Sequence, residues 1–371
     1  MNNRQNALAV LNYEKYERLP IVHFGYWGEL LEQWRAEGKI ENDLKDTNAV
    51  MKELDEKLGF DFEWATPCFS TSCSLSPGFE KKILETRPDG KRVVVNGNGL
   101  IELEDPNITS IPATIGTMLT DRDVWEREYL PRLTLKSERV NFEKLDKLIA
   151  EQQSVTAHPV TIHAGSLYGK IRDLLGVENL AYLSVDDEEL YHEIIKTFAD
   201  ISYNNLKLSL ERGYRPDVAH YWEDICFKNG PLVTPKAFYE LVGPYYRRNS
   251  ELLASYGCKI VSLDCDGLID ALIPTWIENG VNTMFPIEYG TWHASIKPWR
   301  EKYGRELRGV GGMNKNVFAL ERSDIDKEVE RLKALVDLGG FIPCPDHRIP
   351  LGAKWDNIRY YTDKMNETFN K

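Results

Sequence analysis

The chain has 371 residues, 42% of them hydrophobic and 11% aromatic, and a formal net charge of -12. That supplies a large apolar core and falls within the length range of a barrel with insertions. So acidic a chain is a poor partner for nucleic acid, which is gripped by basic patches, and no run approaches the roughly 18 apolar residues that span a bilayer.

From the N-terminus, Met1 to Asn6 run straight into a helical pattern with no apolar leader stretch, so a cytoplasmic location is expected. Residues 19–24 read as a short buried strand, 47–58 as a helix and 60–64 as a second strand. Asp89-Gly90 sits between alternating segments, a strong hairpin signal, so residues 80–105 read as inserted antiparallel ribbons. The charged stretch 121–153 reads as exposed helices. From residue 158 apolar runs at 159–163, 217–221, 259–263, 283–286, 307–311 and 340–343 alternate with helical patterns at 186–212, 235–256, 267–279, 294–303 and 322–338. Such alternation predicts parallel βα units. Six here and two near the N-terminus make a (β/α)8 barrel, an α/β fold. No linker divides the chain, so 1–371 is read as one domain. An open doubly wound sheet is the alternative, but no Gly-rich dinucleotide fingerprint follows the first strand.

A barrel enzyme builds its site at the C-terminal ends of its strands. Those ends carry His163, Glu223 with Asp224, Asp264-Cys265-Asp266, Glu288 and Cys344-Pro345-Asp346-His347. Zinc takes Cys, His, Asp and Glu and keeps one position open in catalytic sites, so Glu223, Cys265 and Cys344 are the expected Zn2+ ligands. Core packing is the competing reading for both thiols, and helix capping for Glu223, Asp264 and Asp266. His347 is read as a ligand, a general acid or base, or a structural hydrogen-bonder, and Asp264, Asp266 or His347 as an extra ligand. Cys226 and Cys258 read as core, Cys68 and Cys73 as incidental. Tyr26, Trp27, Tyr221, Trp222 and Phe285 gather at the same ends and suit, with His163, an apolar ligand with a polar handle.

The segments Tyr221-Trp222-Glu223-Asp224-Ile225-Cys226, Leu263-Asp264-Cys265-Asp266-Gly267, Met284-Phe285-Pro286-Ile287-Glu288 and Pro343-Cys344-Pro345-Asp346-His347-Arg348 resemble the uroporphyrinogen decarboxylase superfamily, over roughly residues 158–365. The resemblance implies the same barrel, with a homodimer by analogy. It extends to the superfamily's corrinoid-linked zinc methyltransferases, although the His-x-Cys element of that branch reads Leu263-Asp264-Cys265 here. The decarboxylase itself requires an Arg-rich N-terminal motif for a substrate with eight carboxylates. Here the region is His23-Phe24-Gly25-Tyr26-Trp27-Gly28-Glu29, and each missing charge-assisted pair forfeits about 1.5–3 kcal/mol. Methyl transfer from a small methylated substrate, an aryl methyl ether, to the cobalt of a cobalamin on a separate corrinoid protein is the implied function, with His347, Asp266 and Glu288 positioning the substrate or donating a proton. The alternatives are a methylcobalamin:thiol methyltransferase, a uroporphyrinogen decarboxylase-like lyase, a zinc hydrolase or lyase on an aromatic acid, and a non-catalytic binding barrel.

Overall fold

Strands form where short apolar runs are buried on both faces, and helices where polar residues return every third or fourth position. The computed structural model describes residues 1–64, 68–106 and 112–370. In chain order, β1 (Val22–His23), β2 (Phe62–Glu63) and β3 (Cys68–Phe69) open the barrel. An inserted antiparallel meander follows: β4 (Lys82–Thr86), β5 (Arg92–Val95), β6 (Leu100–Glu104) and β7 (Ala113–Thr117), paired in that order. Then come β8 (Thr161–Gly165) and β9 (Val218–Trp222), a hairpin of β10 (Cys226–Phe227) and β11 (Gly230–Pro231), and β12 (Ile260–Asp264), β13 (Thr283–Ile287), β14 (Arg308–Met313) and β15 (Phe341–Pro345).

One parallel sheet runs β15-β14-β13-β12-β9-β8-β3, and β1 pairs in parallel with β2. The seam beside β15 is closed by chain beyond it: Tyr26 bridges Ile349, the Trp27 N–H donates to the Ile349 carbonyl and the Ile349 N–H to that of Gly25, both at 3.0 Å. With β2 against β1 and β3 against β8, the second barrel position is shared by two short strands, and the fold is the expected (β/α)8 barrel.

Alternation along the strands decides what reaches the interior. His220 on β9 meets Ser262 on β12 at 3.2 Å, so these two positions face inward. Tyr221, next along β9, faces the helices, where its hydroxyl accepts from Asn249 at 3.0 Å and its ring packs on Tyr246.

The helices depart from expectation at definite places. Gly169–Asp186 is a helix the periodicity did not disclose, because it contains Gly176 at φ 73°, ψ 168°. The run 235–256 is two helices, Pro235–Leu241 and Gly243–Ser255, and 267–279 shortens to Ile273–Glu278. The stretch 121–153 is helical as expected, in short segments over Arg122–Val124, Trp125–Tyr129, Leu130–Leu133 and Ser137–Arg139 before the helix Phe142–Glu151, but Trp125 and Tyr129 within it are fully buried, not exposed. The meander runs on past residue 105 to Thr117. No helix among the described residues is long and apolar enough to cross a membrane.

Candidate active site

Glu223 follows β9 directly and is completely buried. Its carboxylate accepts from the backbone N–H groups of Leu167 (2.8 Å), Tyr168 (2.9 Å) and Gly169 (2.8 Å), from the Ser166 hydroxyl (2.9 Å) and from the Tyr246 hydroxyl. This is an anion seated on a helix N-terminus, where unpaired N–H groups and the helix dipole favour negative charge. The close approach fixes the sequence of the helix start: a Cβ on Gly169 would collide with the Glu223 carbonyl oxygen. Both carboxylate oxygens are occupied by protein donors. Glu223 is therefore a fold-holding group, and its expected role as a zinc ligand is corrected.

The neighbouring residues open to the barrel mouth. The His347 Nε2 lies 3.2 Å from the Asp266 carboxylate. Its ring stacks on Trp27 (5.6 Å between centroids, 18° between planes) and tilts against Phe24 at 5.2 Å. Phe24 in turn meets Phe285 edge-on at 4.5 Å. The loop bearing His347 is fixed by its buried neighbour Asp346, whose carboxylate accepts from the Gly290 N–H, the Lys315 N–H (3.2 Å) and the Lys315 ammonium (3.4 Å). One oxygen of Glu288 accepts from the Gly267 N–H and the Trp292 indole N–H, both at 2.6 Å. Trp222 lies under two cations, Lys170 at 4.8 Å and Arg172 at 5.4 Å from its ring.

Carboxylates dominate this mouth. Asp264 is pushed well above the usual carboxylate range by burial and then by the charges of Asp266 and Asp224, with Arg348 opposing. Glu288 is raised by burial and Asp266, against hydrogen bonds from Gly267 and Trp292. Asp224 is raised by burial, against Arg172, and by Asp266. Crowding and desolvation shift these acids toward the range in which a carboxyl serves as a general acid.

Of the expected substrate-binding residues, Trp27 and Trp222 stand at the mouth, and Phe285 and His163 face the barrel interior. Tyr26 and Tyr221 do not line it. Tyr26 is buried against His23 and against Trp34 of the helix Gly28–Ala36, and Tyr221 lies in the helical layer. His163 and His220 stand at the same register on β8 and β9: burial lowers His163 to about 4 and His220 to about 3, with Lys170 and His163 respectively adding to the effect. His220 escaped the sequence reading because it sits mid-strand. Its inward position follows from alternation with Trp222 two residues on.

The residues expected to bind zinc do not fit it. Cys265 accepts from the Ile225 N–H at 3.4 Å, directs its thiol at the Asp266 carbonyl (3.6 Å) and hydrogen-bonds Cys226. Cys344 lies in a separate environment that includes Asp346, Glu63 and Tyr361. Burial pushes both thiols up. Among the described residues no three His, Cys, Asp or Glu side chains stand together as a metal-holding group.

The uroporphyrinogen decarboxylase (URO-D) family pattern matches residues 157–368. Among solved structures, a methyltransferase from Methanosarcina mazei is similar over 99% of both chains, with a TM-score of 0.59 and 16% identity. A protein described as a vitamin-B12 independent methionine synthase, from Listeria monocytogenes, is similar over 62% of this chain and 70% of its own, with a TM-score of 0.38 and 13% identity. No curated protein matches. The first likeness is one of fold, and the second is too partial to bear on it.

Proposed function

Because the chain belongs to the uroporphyrinogen decarboxylase family, we propose that its barrel binds a small methylated aromatic compound, an aryl methyl ether, and passes the methyl group to the cobalamin of a separate corrinoid protein. The observation that carries the reading is the His347–Asp266 pair, 3.2 Å apart and stacked on Trp27 at the mouth. The methyl group leaves without the bonding electrons. The aryl oxygen keeps that pair and takes a proton from the His347 imidazolium through its other ring nitrogen, while Asp266, paired with Nε2, orients the ring and balances its charge. Glu288, its proton affinity raised by burial and by Asp266, is the second acid within this group. Trp27, Trp222 and Phe285 supply flat apolar surface for the aromatic body. Since Glu223, Cys265 and Cys344 do not come together, no step is assigned to zinc.

The same electrostatics speak against decarboxylation of a tetrapyrrole polyacid. The charge of Asp266 already raises the proton affinity of Asp224, Asp264 and Glu288, and further carboxylates entering this mouth would be repelled.

The test is phenol release from methoxyaromatics with reduced cobalamin as methyl acceptor, free or on a corrinoid protein. Phenol should appear in step with methylation of the acceptor. His347→Gln should lower kcat by about 10²–10⁴-fold with KM nearly unchanged. Absence of phenol with every donor tried, or undiminished turnover by His347→Gln, would refute the reading.

A further inference from the structure

Beside the barrel mouth, and sharing Asp224 and Arg172 with its rim, the meander and the kinked helix Gly169–Asp186 enclose a cleft of about 700 Å³, within the size range of small-molecule sites. Its walls carry Ile115, Val177, Tyr182 and Phe227, exposed by 49, 42, 58 and 49%. Large apolar side chains gathered on one concave surface mark a binding site more often than chance exposure does. Two unusual backbone positions shape the walls, Gly176 at φ 73° and Asp224 at φ 49°. Positive φ at a non-glycine residue such as Asp224 persists where surrounding structure over-determines it and concentrates at ligand sites.

The charges in the cleft define what would enter. Glu102, Asp173, Glu178 and Asp224 line it, with Arg172 as the cation among them. Arg172 is already spent: it donates to the Asp224 carbonyl, to the Asp224 carboxylate at 3.1 Å and to Asp173 at 3.3 Å. The charge of Asp173 reaches both Glu102 and Asp224, so these carboxylates repel one another across the space. A groove of about 440 Å³ continues the cleft, sharing Gly116, Asn179 and Tyr182, and adds Asp121, Asp186 and Asp187. Its Arg122 is likewise held, by Glu193 at 2.9 Å and Asp187 at 3.4 Å.

We propose that this cleft binds a hydrophobic cation, an aromatic or alkyl body bearing a quaternary or protonated amine. The apolar walls take the body, the carboxylates take the charge, and Tyr182, whose hydroxyl donates to Glu178 at 3.3 Å, offers a ring face to the ammonium. The site is separate from His347 and does not depend on methyl transfer.

Benzyltrimethylammonium is the probe, titrated by calorimetry against wild type, Tyr182→Ala, Glu102→Gln and His347→Gln, with benzoate and benzyl alcohol as anionic and neutral controls. Wild type should bind one equivalent, and Tyr182→Ala and Glu102→Gln should each weaken binding about fivefold at unchanged melting temperature. His347→Gln should bind as wild type does, and both controls should bind more weakly than the cation. No binding, equal binding of benzoate, or weakening confined to His347→Gln would overturn the proposal. None of these outcomes depends on whether methyl transfer is observed.

Discussion

A carboxylate at the end of a barrel strand reads as chemistry, yet Glu223 is consumed by the fold. Five donors converge on it, three of them backbone N–H groups of one helix start. Glu223→Gln keeps the shape but turns an amide NH2 toward donors that need an acceptor. Breaking one side of a buried charged network costs about 3–5 kcal/mol, and urea denaturation should show a loss of that size. A loss under about 1 kcal/mol, the scale of one ordinary hydrogen bond, would restore Glu223 to the candidates for ligation. Asp266 makes the opposite case. Its charge raises Asp264, Asp224 and Glu288, so Asp266→Asn should bring the titration of all three to lower pH, as followed by NMR of labelled carboxyl carbons; an unmoved Glu288 would separate it from this group. The place of His347 and Asp266 was legible, because the barrel rule puts strand-end loops at the mouth. Their pairing was not, because it depends on how two loops from β12 and β15 fold over one another. For the same reason the sequence put Cys265 and Cys344 at one end of the barrel but could not tell that each has different neighbours.

At the scale of elements, the six regular βα units after residue 158 were readable from apolar runs alone, since parallel strands are buried on both faces. What escaped was the helix Gly169–Asp186, whose two glycines erase the helical signature while serving contacts far away in sequence. Gly169 makes room for the Glu223 carbonyl, and Gly176 receives the meander: a Cβ there would stand 2.8 Å from the Thr114 methyl. The dock is completed by the Thr117 hydroxyl, which donates to the Leu174 carbonyl at 2.6 Å. With φ 73° and ψ 168°, Gly176 occupies a region essentially closed to other residues. Gly176→Ala should therefore cost about 1–3 kcal/mol, measured by thermal unfolding, and proteolysis should cut the meander faster than the barrel. Uniform protection of meander and barrel in the variant would show that the two are not held together at this kink.

For the molecule as a whole, the barrel interior sets a dependence of stability on pH with a definite sign. Burial lowers His163 to about 4 and His220 to about 3, whereas in the unfolded chain both titrate near 6.5. Above about pH 6.5 neither state binds these protons and the contribution is flat. As the pH falls below that value the unfolded chain takes up protons that the barrel refuses, so stability is lost down to the folded-state values, at up to about 1.4 kcal/mol per pH unit for the well-buried His220. Asp264 and Glu288 act in the other direction. Raised in the fold, they bind protons there before the unfolded chain does, and their contribution grows as pH falls through the raised values toward about 4. The two effects overlap between about pH 6.5 and 4, so the wild-type melting curve should decline less steeply than the histidines alone dictate. Removing one histidine should unmask the acids. His220→Gln retains a polar partner for Ser262, which faces it at 3.2 Å, but carries no proton in this range. Its melting temperature should accordingly fall less between pH 7 and pH 5 than that of wild type, whatever the offset at pH 7. Parallel curves for the two proteins would show that His220 is not the group through which acid opens the barrel.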